Sequence, residues 1–269
     1  MRVWGGPTRM IHFGYYPDGD GSTLSHHQSL VETVRQAAIR LDPEPGQRIL
    51  DAGCGLGGAA VWLVRNYDVK VDGITNVPLH VEAASRYASE CGLLAPGRLT
   101  FSLLDYTDTG LPAATYDGVL AIESVCYAPD TADFLKEAYR LLKPDGRLVV
   151  LDGFQTRRDL SADEQSLMAS WLHGWGATRL DTIDDFCTKA AREGFIDVRF
   201  ENLQRHFKPS HYASYRLARW LVPPARLLNR LGMLSGTLYG HLRASRDVWY
   251  AAERGLCVQG IFSARKPSR

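Results

Sequence analysis

The 269-residue sequence lacks an apolar run of about 18 residues, the length that spans a bilayer, so it predicts no transmembrane helix. Its first ten residues contain no apolar segment of the kind found in secretory signals. Neither sign of charge is in excess, because 31 lysines and arginines nearly cancel 30 aspartates and glutamates. These absences favour a globular cytoplasmic protein and argue against a disordered chain or a uniformly basic nucleic-acid binder.

Cysteine is scarce and follows no pattern. The five cysteines are odd in number and form no CxxC pair, which disfavours a disulfide framework and a structural zinc site. No acidic cluster or HxxxH pattern suggests a fixed metal site, so none is predicted. Reduced thiols agree with a cytoplasmic location. The cysteines are Cys54, Cys91, Cys126, Cys187 and Cys257.

What the sequence does contain is a regular alternation of short apolar runs and segments of helical period. Strand and helix patterns alternate five times between about residues 48 and 151, which predicts a parallel sheet with helices on both faces. Lys143–Gly146 predicts a turn before the fifth strand. A capping box from Ser161 to Glu164 predicts the start of another helix. The later predicted elements are a helix and two strands, at Ile183–Glu193, Phe195–Leu203 and Leu256–Arg265.

A glycine-rich loop, Asp51–Gly58, joins the first predicted strand to the helix that follows it. Gly53 permits a tight turn, and Gly55 lets a ligand approach bare backbone at a helix N-terminus. The spacing also satisfies the dinucleotide pattern, which keeps NAD open as an alternative cofactor. Against NAD, the second strand ends in Thr75-Asn76 without an acid for the ribose. Asp51 instead suits a cationic cofactor, because a carboxylate accepts hydrogen bonds from an ammonium group.

This loop resembles the first motif of the class I S-adenosylmethionine (SAM) dependent methyltransferases. Leu103–Tyr106 and Leu141–Arg147 are similar to two further motifs of that family. The resemblance covers residues 25–152. It agrees with a Rossmann-like α/β fold: a seven-stranded, mostly parallel sheet with an antiparallel last strand and helices on both faces. The predicted divisions are an N-terminal lid at 1–24, a SAM-binding core at 25–203, a helical substrate cap at 204–255 and a final strand at 256–269.

Within that family, Ala121–Pro129 and Gly73–His80 are similar to segments of sterol side-chain methyltransferases, although His80 stands where those enzymes usually have Gln. Trp4-Gly-Gly and His12–Tyr16 resemble the N-terminal aromatic segment of small-molecule methyltransferases, including terpenoid enzymes. The resemblance implies SAM as cofactor, with contacts to its methionine part, ribose, adenine and sulfonium end. The cofactor residues so implied are Asp51, Gly53, Gly55, Thr75, Asn76, Asp105, Tyr106, Tyr15 and Gln28.

Glu123 is the first candidate for a catalytic role. It follows the fourth predicted strand, at the sheet edge where open α/β proteins bind ligands. A carboxylate there acts as a general base or stabilises a developing cation, and the alternative is a solvated or helix-capping acid. His12, His26 and His27 are alternative bases, although a lone histidine is more often structural. Tyr16 is the third catalytic candidate, from the aromatic segment.

Residues 204–255 are too many for a hairpin loop. Prolines and glycines predict several short helical pieces there, inserted as a cap. The segment has nine basic and two acidic residues, a charge of +7 against −6 for the rest of the chain. Arginine binds phosphate in bidentate fashion, so we expect the cap to hold an anionic head group; a basic surface, an oligomer interface or nucleic-acid binding are the alternatives. The predicted substrate residues are Tyr127, His211, Tyr212, Tyr215, Arg216 and Arg219.

The preferred functional prediction is C-methylation of the alkene of a prenyl diphosphate, of isopentenyl or geranyl type, through a carbocation that Glu123 deprotonates. Mg²⁺ is an optional companion of the diphosphate. The alternatives are an O- or N-methyltransferase of natural-product biosynthesis and a non-catalytic SAM-binding protein. The predicted partner is a small anionic isoprenoid, without nucleic acid or stable membrane insertion, and a homo-oligomer stays open.

Overall fold

A computed structural model describes residues 6–177 and 179–268, and within them the chain forms seven β-strands and eight α-helices. In chain order these are α1 (His26–Leu41), β1 (Arg48–Ala52), α2 (Gly58–Tyr67), β2 (Lys70–Thr75), α3 (Pro78–Glu90), β3 (Leu99–Leu103), β4 (Tyr116–Ile122), α4 (Thr131–Leu141), β5 (Leu142–Gln155), α5 (Ala162–Trp175), α6 (Ile183–Glu193), β6 (Ile196–Asn202), α7 (Gln204–Arg230), α8 (Gly236–Glu253) and β7 (Cys257–Arg265).

The strands form one sheet in the order β3-β2-β1-β4-β5-β7-β6. All neighbours pair in parallel except β7, which runs antiparallel to both β5 and β6. This confirms the predicted seven-stranded, mostly parallel sheet with its antiparallel last strand. The strand order reverses between β1 and β4, and such a reversal opens a crevice for ligands beyond the carboxyl ends of these strands.

Helices cover both faces of the sheet, so β1, β4 and β7 are almost wholly buried, whereas β6 at one edge is largely exposed. One core cluster lies under α1 and α2 and includes Leu30, Val34 and Leu63. A second lies on the opposite face under α4 and α6 and includes Phe134 and Phe186. These two cores fix the sheet rigidly, and with it the strand ends that build the site.

The helix that was predicted from the capping box begins as expected. The Ser161 hydroxyl accepts a hydrogen bond from the Glu164 backbone N–H, and the Glu164 carboxylate accepts one from the Ser161 N–H. The reciprocal pair satisfies two donors that a helix N-terminus leaves free. It therefore fixes the start of α5 at Ala162.

The predicted turn at Lys143–Gly146 lies inside a longer strand, β5. Asp145 has a φ of 64°, and the strand register shifts between Tyr116 and Gly118 on the neighbouring β4. The Asp145 N–H donates to the carbonyl of Lys266, at 3.1 Å, just beyond β7. Residues 143–146 favour a turn locally, but hydrogen bonding with the chain just beyond β7 makes them part of β5.

The segment between β6 and β7 forms two long helices instead of several short pieces, which corrects the sequence prediction. We call α7 and α8 together the helical hairpin. The helix α7 continues through Pro209, Pro223 and Pro224. Val222 and Ala225, beside the last two prolines, are buried, so packing outweighs the hydrogen bonds that proline removes. None of the described helices has the length and apolar character that a membrane span requires.

Candidate active site

The glycine loop is bound tightly at the end of β1. The backbone N–H groups of Gly53 and Cys54 both donate to the carbonyl of Ile74, at 2.9 and 3.0 Å, which fastens the loop to β2. Gly53 has a φ of +85°, and a Cβ there would stand 2.3 Å from the Cβ of Ser124. Only glycine meets both the conformation and the close approach.

Asp51 precedes the loop and is 2% exposed. Its Oδ2 has no hydrogen-bond partner among the described residues, and burial raises its pKa to about 7. A buried carboxyl oxygen without a donor is costly unless a ligand supplies one. An ammonium-bearing cationic ligand meets that requirement, so the site fits SAM at this position.

Glu123 follows β4 directly, and its φ of +47° is uncommon outside glycine. Its Oε1 accepts hydrogen bonds from the backbone N–H of Phe13, at 3.0 Å, and from the side-chain amide of Gln259, at 2.8 Å. Burial of the carboxyl group raises its pKa to about 8. A strained backbone and a displaced pKa together are typical of a functional site.

A third buried acid, Asp152, stands on β5. It accepts hydrogen bonds from the backbone N–H groups of Gly153 and Cys126, and burial raises its pKa. Asp51, Glu123 and Asp152 thus lie on or directly after three adjacent strands, and no lysine or arginine among the described residues pairs with them. Such a group of carboxyls favours a cationic ligand. Asp152 is not among the residues predicted from the sequence, although its place in a strand after a family motif is a signal.

The chain ahead of α1 covers the loop. A Cβ on Gly58 would stand 2.5 Å from the carbonyl oxygen of Thr8, and one on Gly55 would stand 3.2 Å from the Ile11 side chain. Residues 8–13 therefore lie across the glycine loop and reach Glu123 through Phe13. Trp4 and Gly5, part of the same predicted aromatic segment, lie outside the described residues.

His12 lies in this covering segment. Its Nδ1 is 2.9 Å from the carbonyl oxygen of Phe13, and its Nε2 is buried without a partner among the described residues. Burial lowers its pKa to about 4, so the ring is neutral at pH 7. A neutral imidazole with a free nitrogen is able to accept a hydrogen bond, and its catalytic role stays a prediction.

Tyr15 and Tyr16 are both buried, but their described contacts are with the helices. The Tyr15 ring stacks on His206, with centroids 4.6 Å apart, and its backbone N–H donates to the hydroxyl of Thr33. The backbone N–H of Tyr16 donates to the carbonyl of His206, at 2.9 Å. Both residues therefore anchor the N-terminal segment between α1 and α7. Their predicted roles toward cofactor and substrate stay predictions.

The remaining cofactor candidates lie near the ends of β2 and β3. Thr75 is buried and Asn76 beside it is exposed. Asp105 is exposed, whereas the Tyr106 hydroxyl donates to the carbonyl of Ser124, at 2.8 Å, the residue that contacts Gly53. The structure therefore brings the end of β3 to the glycine loop, and the contacts of these four residues with SAM stay predictions.

Gln28 is exposed and takes part in the capping box of α1. Its Oε1 accepts hydrogen bonds from the N–H and the hydroxyl of Ser25, at 2.9 and 2.8 Å. This helix cap accounts for the residue structurally. A contact with SAM stays a prediction.

The structure separates the predicted substrate residues into two groups. His211 faces inward: it is 3% exposed, its Nε2 has no partner among the described residues, and its ring meets the Phe13 ring edge-on at 4.2 Å. Burial lowers its pKa to about 4. Tyr127 is half-exposed on the turn after Glu123. The other four lie at the partly or fully exposed surface of α7, and their role toward the substrate stays a prediction; they are Tyr212, Tyr215, Arg216 and Arg219.

Two glutamines missed by the sequence analysis connect the hairpin to Glu123. Gln259, on β7, donates to Glu123, and its own backbone N–H donates to the side-chain oxygen of Gln204, at 2.8 Å. The Gln204 amide lies 3.4 Å from Nδ1 of His211. No local pattern signals either residue. Only the antiparallel pairing of β7 with β5 brings Gln259 to the site.

No group of three or more His, Cys, Asp or Glu residues is placed to hold a metal ion in the part of the chain that the structure describes. The polar groups of the site are thus acids, amides and two neutral imidazoles. They suit a cationic organic ligand.

Comparisons with known proteins also indicate a methyltransferase. Residues 50–150 match the model of a methyltransferase domain. The chain is 30% identical over 279 residues to 2-methyl-6-phytyl-1,4-hydroquinone methyltransferase of Synechocystis sp., covering 94% of this chain and 80% of the relative. It is 34% identical over 206 residues to the O-methyltransferase cnsE of Penicillium expansum, covering 74% and 70%.

The fold matches that of a solved geranyl diphosphate C-methyltransferase from Streptomyces coelicolor A3(2), in complex with Mg²⁺, geranyl diphosphate and S-adenosyl-L-homocysteine. The TM-score is 0.74 at 17% identity, over 98% of this chain and 96% of that one. The NAD-binding and non-catalytic alternatives are set aside by the methyltransferase relatives together with the free oxygen of Asp51. The chain belongs to the class I SAM-dependent methyltransferases, is an enzyme of that family, and resembles its terpenoid C-methyltransferases.

Proposed function

We propose that this enzyme methylates an alkene carbon of a small isoprenoid, with a prenyl diphosphate of isopentenyl or geranyl type as the preferred acceptor. The observation that carries the proposal is the set of buried carboxyls without a paired cation, Asp51, Glu123 and Asp152. An alkene becomes positively charged when it accepts a methyl cation equivalent. Preorganised negative groups stabilise that charge, whereas they would oppose a substrate that reacts as an anion.

In the proposed reaction, SAM supplies an activated methyl group. The alkene carbon forms a bond to this methyl as the carbon–sulfur bond breaks, which leaves a tertiary cation on the acceptor. Glu123 then takes a proton from the carbon next to the cation, and the double bond is restored. The two hydrogen bonds to its Oε1 hold the carboxylate in place, so Oε2 is the oxygen assigned to the proton.

The raised pKa of Glu123 is consistent with this role. A carboxyl with a pKa of about 8 is a stronger base, once ionised, than an ordinary glutamate. A cationic ligand above the glycine loop would favour the ionised form. The acid would therefore be neutral in the ligand-free protein at pH 7 and become a base in the loaded enzyme.

Aromatic rings beside Glu123 support a cationic intermediate. The Phe13 ring meets His211 at 4.2 Å and Trp175 at 5.7 Å, and the Phe13 N–H holds Glu123. Aromatic faces stabilise a cation and exclude water, which would otherwise capture it as an alcohol.

The basic hairpin supports an anionic head group on the acceptor. Arg216 and Arg219 are the arginines proposed to bind it, with Tyr212 and Tyr215 beside them, and Mg²⁺ would enter with the diphosphate. Both arginines are exposed, so their part is tested separately from the chemistry. If they bind the head group, the double variant Arg216→Gln/Arg219→Gln raises KM for the diphosphate with little change in kcat.

O-methylation is the second candidate, favoured by the 34% identity to an O-methyltransferase. In that reaction Glu123 would deprotonate a hydroxyl group before transfer. The two candidates differ in product: a new carbon–carbon bond in one, and an ether in the other.

The test is to incubate the enzyme with SAM, Mg²⁺ and each of isopentenyl, dimethylallyl, geranyl and farnesyl diphosphate, and to identify methylated products by mass spectrometry. We expect at least one C-methylated product. The variant Glu123→Gln should lose about 10²–10⁴-fold in rate, whereas the exposed Glu90→Gln should not. Absence of product from all four diphosphates, or an undiminished rate in Glu123→Gln, would overturn the proposal.

A further inference from the structure

The outer surface of α7 carries apolar side chains in a regular order. Leu217, Leu221 and Leu228 are spaced by four and seven residues, which places them on one face of the helix. Leu217 and Trp220 are 60% and 71% exposed. We call the set the apolar stripe: Leu217, Trp220, Leu221, Leu227, Leu228 and Leu231.

The apolar stripe is distinct from the face by which α7 packs. Ala218, Val222 and Ala225 are buried, and they fall between the stripe residues in sequence on another side of the helix. All six stripe residues remain exposed. Soluble proteins rarely leave such a continuous apolar surface without a partner, so the stripe requires an occupant.

The same surface continues around the turn of the hairpin. Met233 and Leu238 are 71% and 49% exposed. The Asn229 side chain donates to the carbonyl of Leu234, at 2.9 Å, and closes the turn. The tip of the hairpin therefore exposes apolar side chains at the end of α7 and at the start of α8, and the Asn229 hydrogen bond closes the turn between them.

Arginines run beside the apolar stripe. Arg216, Arg219, Arg226 and Arg230 are all exposed, and residues 202–246 contain no aspartate or glutamate. None of the four forms an ion pair with a described residue, whereas Lys208 near the start of α7 pairs with Glu253. The apolar stripe and the unpaired arginines beside it suit a partner that has both anionic and apolar groups.

We propose that the tip of the helical hairpin docks on the surface of an anionic lipid bilayer. The apolar stripe enters the boundary between head groups and acyl chains, and Arg226 and Arg230, next to the tip, bind lipid phosphates. This is the chemistry of an interfacial amphipathic helix with a tryptophan at the membrane boundary. It involves no spanning segment and does not depend on which acceptor the enzyme methylates.

A second copy of the chain is the competing occupant, and charge argues against it. A two-fold symmetric contact over the apolar stripe would bring the unpaired arginines of both copies into one interface. The hairpin offers no acid before Asp247 to offset that repulsion. Lipid phosphates supply the missing negative charge.

The test is co-sedimentation of the full chain with vesicles of phosphatidylcholine, alone or with phosphatidylglycerol. We expect binding to the phosphatidylglycerol vesicles that weakens as salt is raised. Leu221→Glu/Leu228→Glu should reduce partitioning by about tenfold or more, and Arg226→Gln/Arg230→Gln by about fivefold for each arginine. The matched controls are Ile39→Glu on α1, 48% exposed in the native protein, and Arg192→Gln on α6; both should bind like the native chain.

Brominated lipids provide an independent readout. They should quench tryptophan fluorescence in the native chain and do so less in Trp220→Phe. Equal SAM affinity of the variants, measured by calorimetry, shows that they are folded. Failure to bind phosphatidylglycerol vesicles, or equal binding by Leu221→Glu/Leu228→Glu, would overturn the proposal. So would a dimer in sedimentation velocity that those substitutions dissociate, because the second copy would then be the occupant.

Discussion

The carboxyl edge of the sheet and the helical hairpin differ in how their charges are held. At the sheet edge the charges are acidic and buried; Glu123 has two hydrogen bonds to one oxygen and a pKa raised to about 8. Along α7 the charged side chains are basic and exposed; Arg226 and Arg230 form no ion pair with any described residue. The chemical role of a buried group can be inferred from its missing hydrogen-bond partners and its shifted pKa. For an exposed group, only the charge and polarity of a binding partner can be inferred.

The largest expected effect lies at the sheet edge. Gly53→Ala places a Cβ 2.3 Å from Ser124 at a φ of +85°, so the loop must move. We expect about 100-fold weaker SAM binding and a loss of about 2–4 kcal/mol in the free energy of unfolding. Calorimetry and urea unfolding measure both. Gly92→Ala is the matched control: its φ is +67° with nothing within 4 Å of the added Cβ, so it should cost about 1 kcal/mol and leave SAM affinity unchanged.

The buried acids give the next effect, a dependence of stability on pH. Folding raises the pKa of Glu123 from 4.5 to about 8 and that of Asp51 from 3.8 to about 7. Their contribution to stability is therefore complete below the unfolded pKa values, falls progressively as pH rises above about 4, and is lost once pH has passed the folded pKa values of about 7 and 8. As pH rises from 5 to 8.5, these two acids should therefore lower the melting temperature of the ligand-free protein.

Glu123→Gln isolates one of these contributions. At pH 8.5 we expect the variant to melt about 5–10 °C above the native protein, and the difference should shrink toward pH 5. His12 and His211, whose pKa values are lowered to about 4, titrate in both proteins and largely cancel in the comparison. Identical melting curves at every pH would show that the Glu123 carboxyl is not destabilised by burial.

The smallest expected effect concerns Gln259, which connects the carboxyl edge of the sheet to the helical hairpin. Gln259→Leu removes the 2.8 Å hydrogen bond to Glu123 and one link to the hairpin. We expect kcat to fall about tenfold and the acidic limb of the pH–rate profile to move to higher pH, because the carboxylate loses a donor. KM for SAM should change little. Gln165→Leu, at an exposed position on α5, serves as the control, and an unmoved pH profile in Gln259→Leu would limit Gln259 to a packing role.

Several parts of the fold could be predicted from local sequence. The helix predicted at Ile183–Glu193 agrees with α6 to the residue, and the capping box correctly marks the start of α5. The extension of β5 and the continuous α7 could not be predicted in this way. Both depend on partners far away in the chain, which outweigh a local turn preference at Lys143–Gly146 and three prolines in α7.

The candidate site also has features that local sequence predicts and features that depend on distant parts of the chain. Local sequence is enough to locate the glycine loop, its acid Asp51 and the place of Glu123 after a strand, because these features depend on neighbours within a few residues. The hydrogen bond from Gln259, 136 residues away, to the Glu123 carboxylate depends on tertiary structure, and so does the burial of His211 beside an exposed Tyr212. Hydrogen bonds and burial depend on which segments the sheet and its helices bring together, and that arrangement is a property of the whole chain.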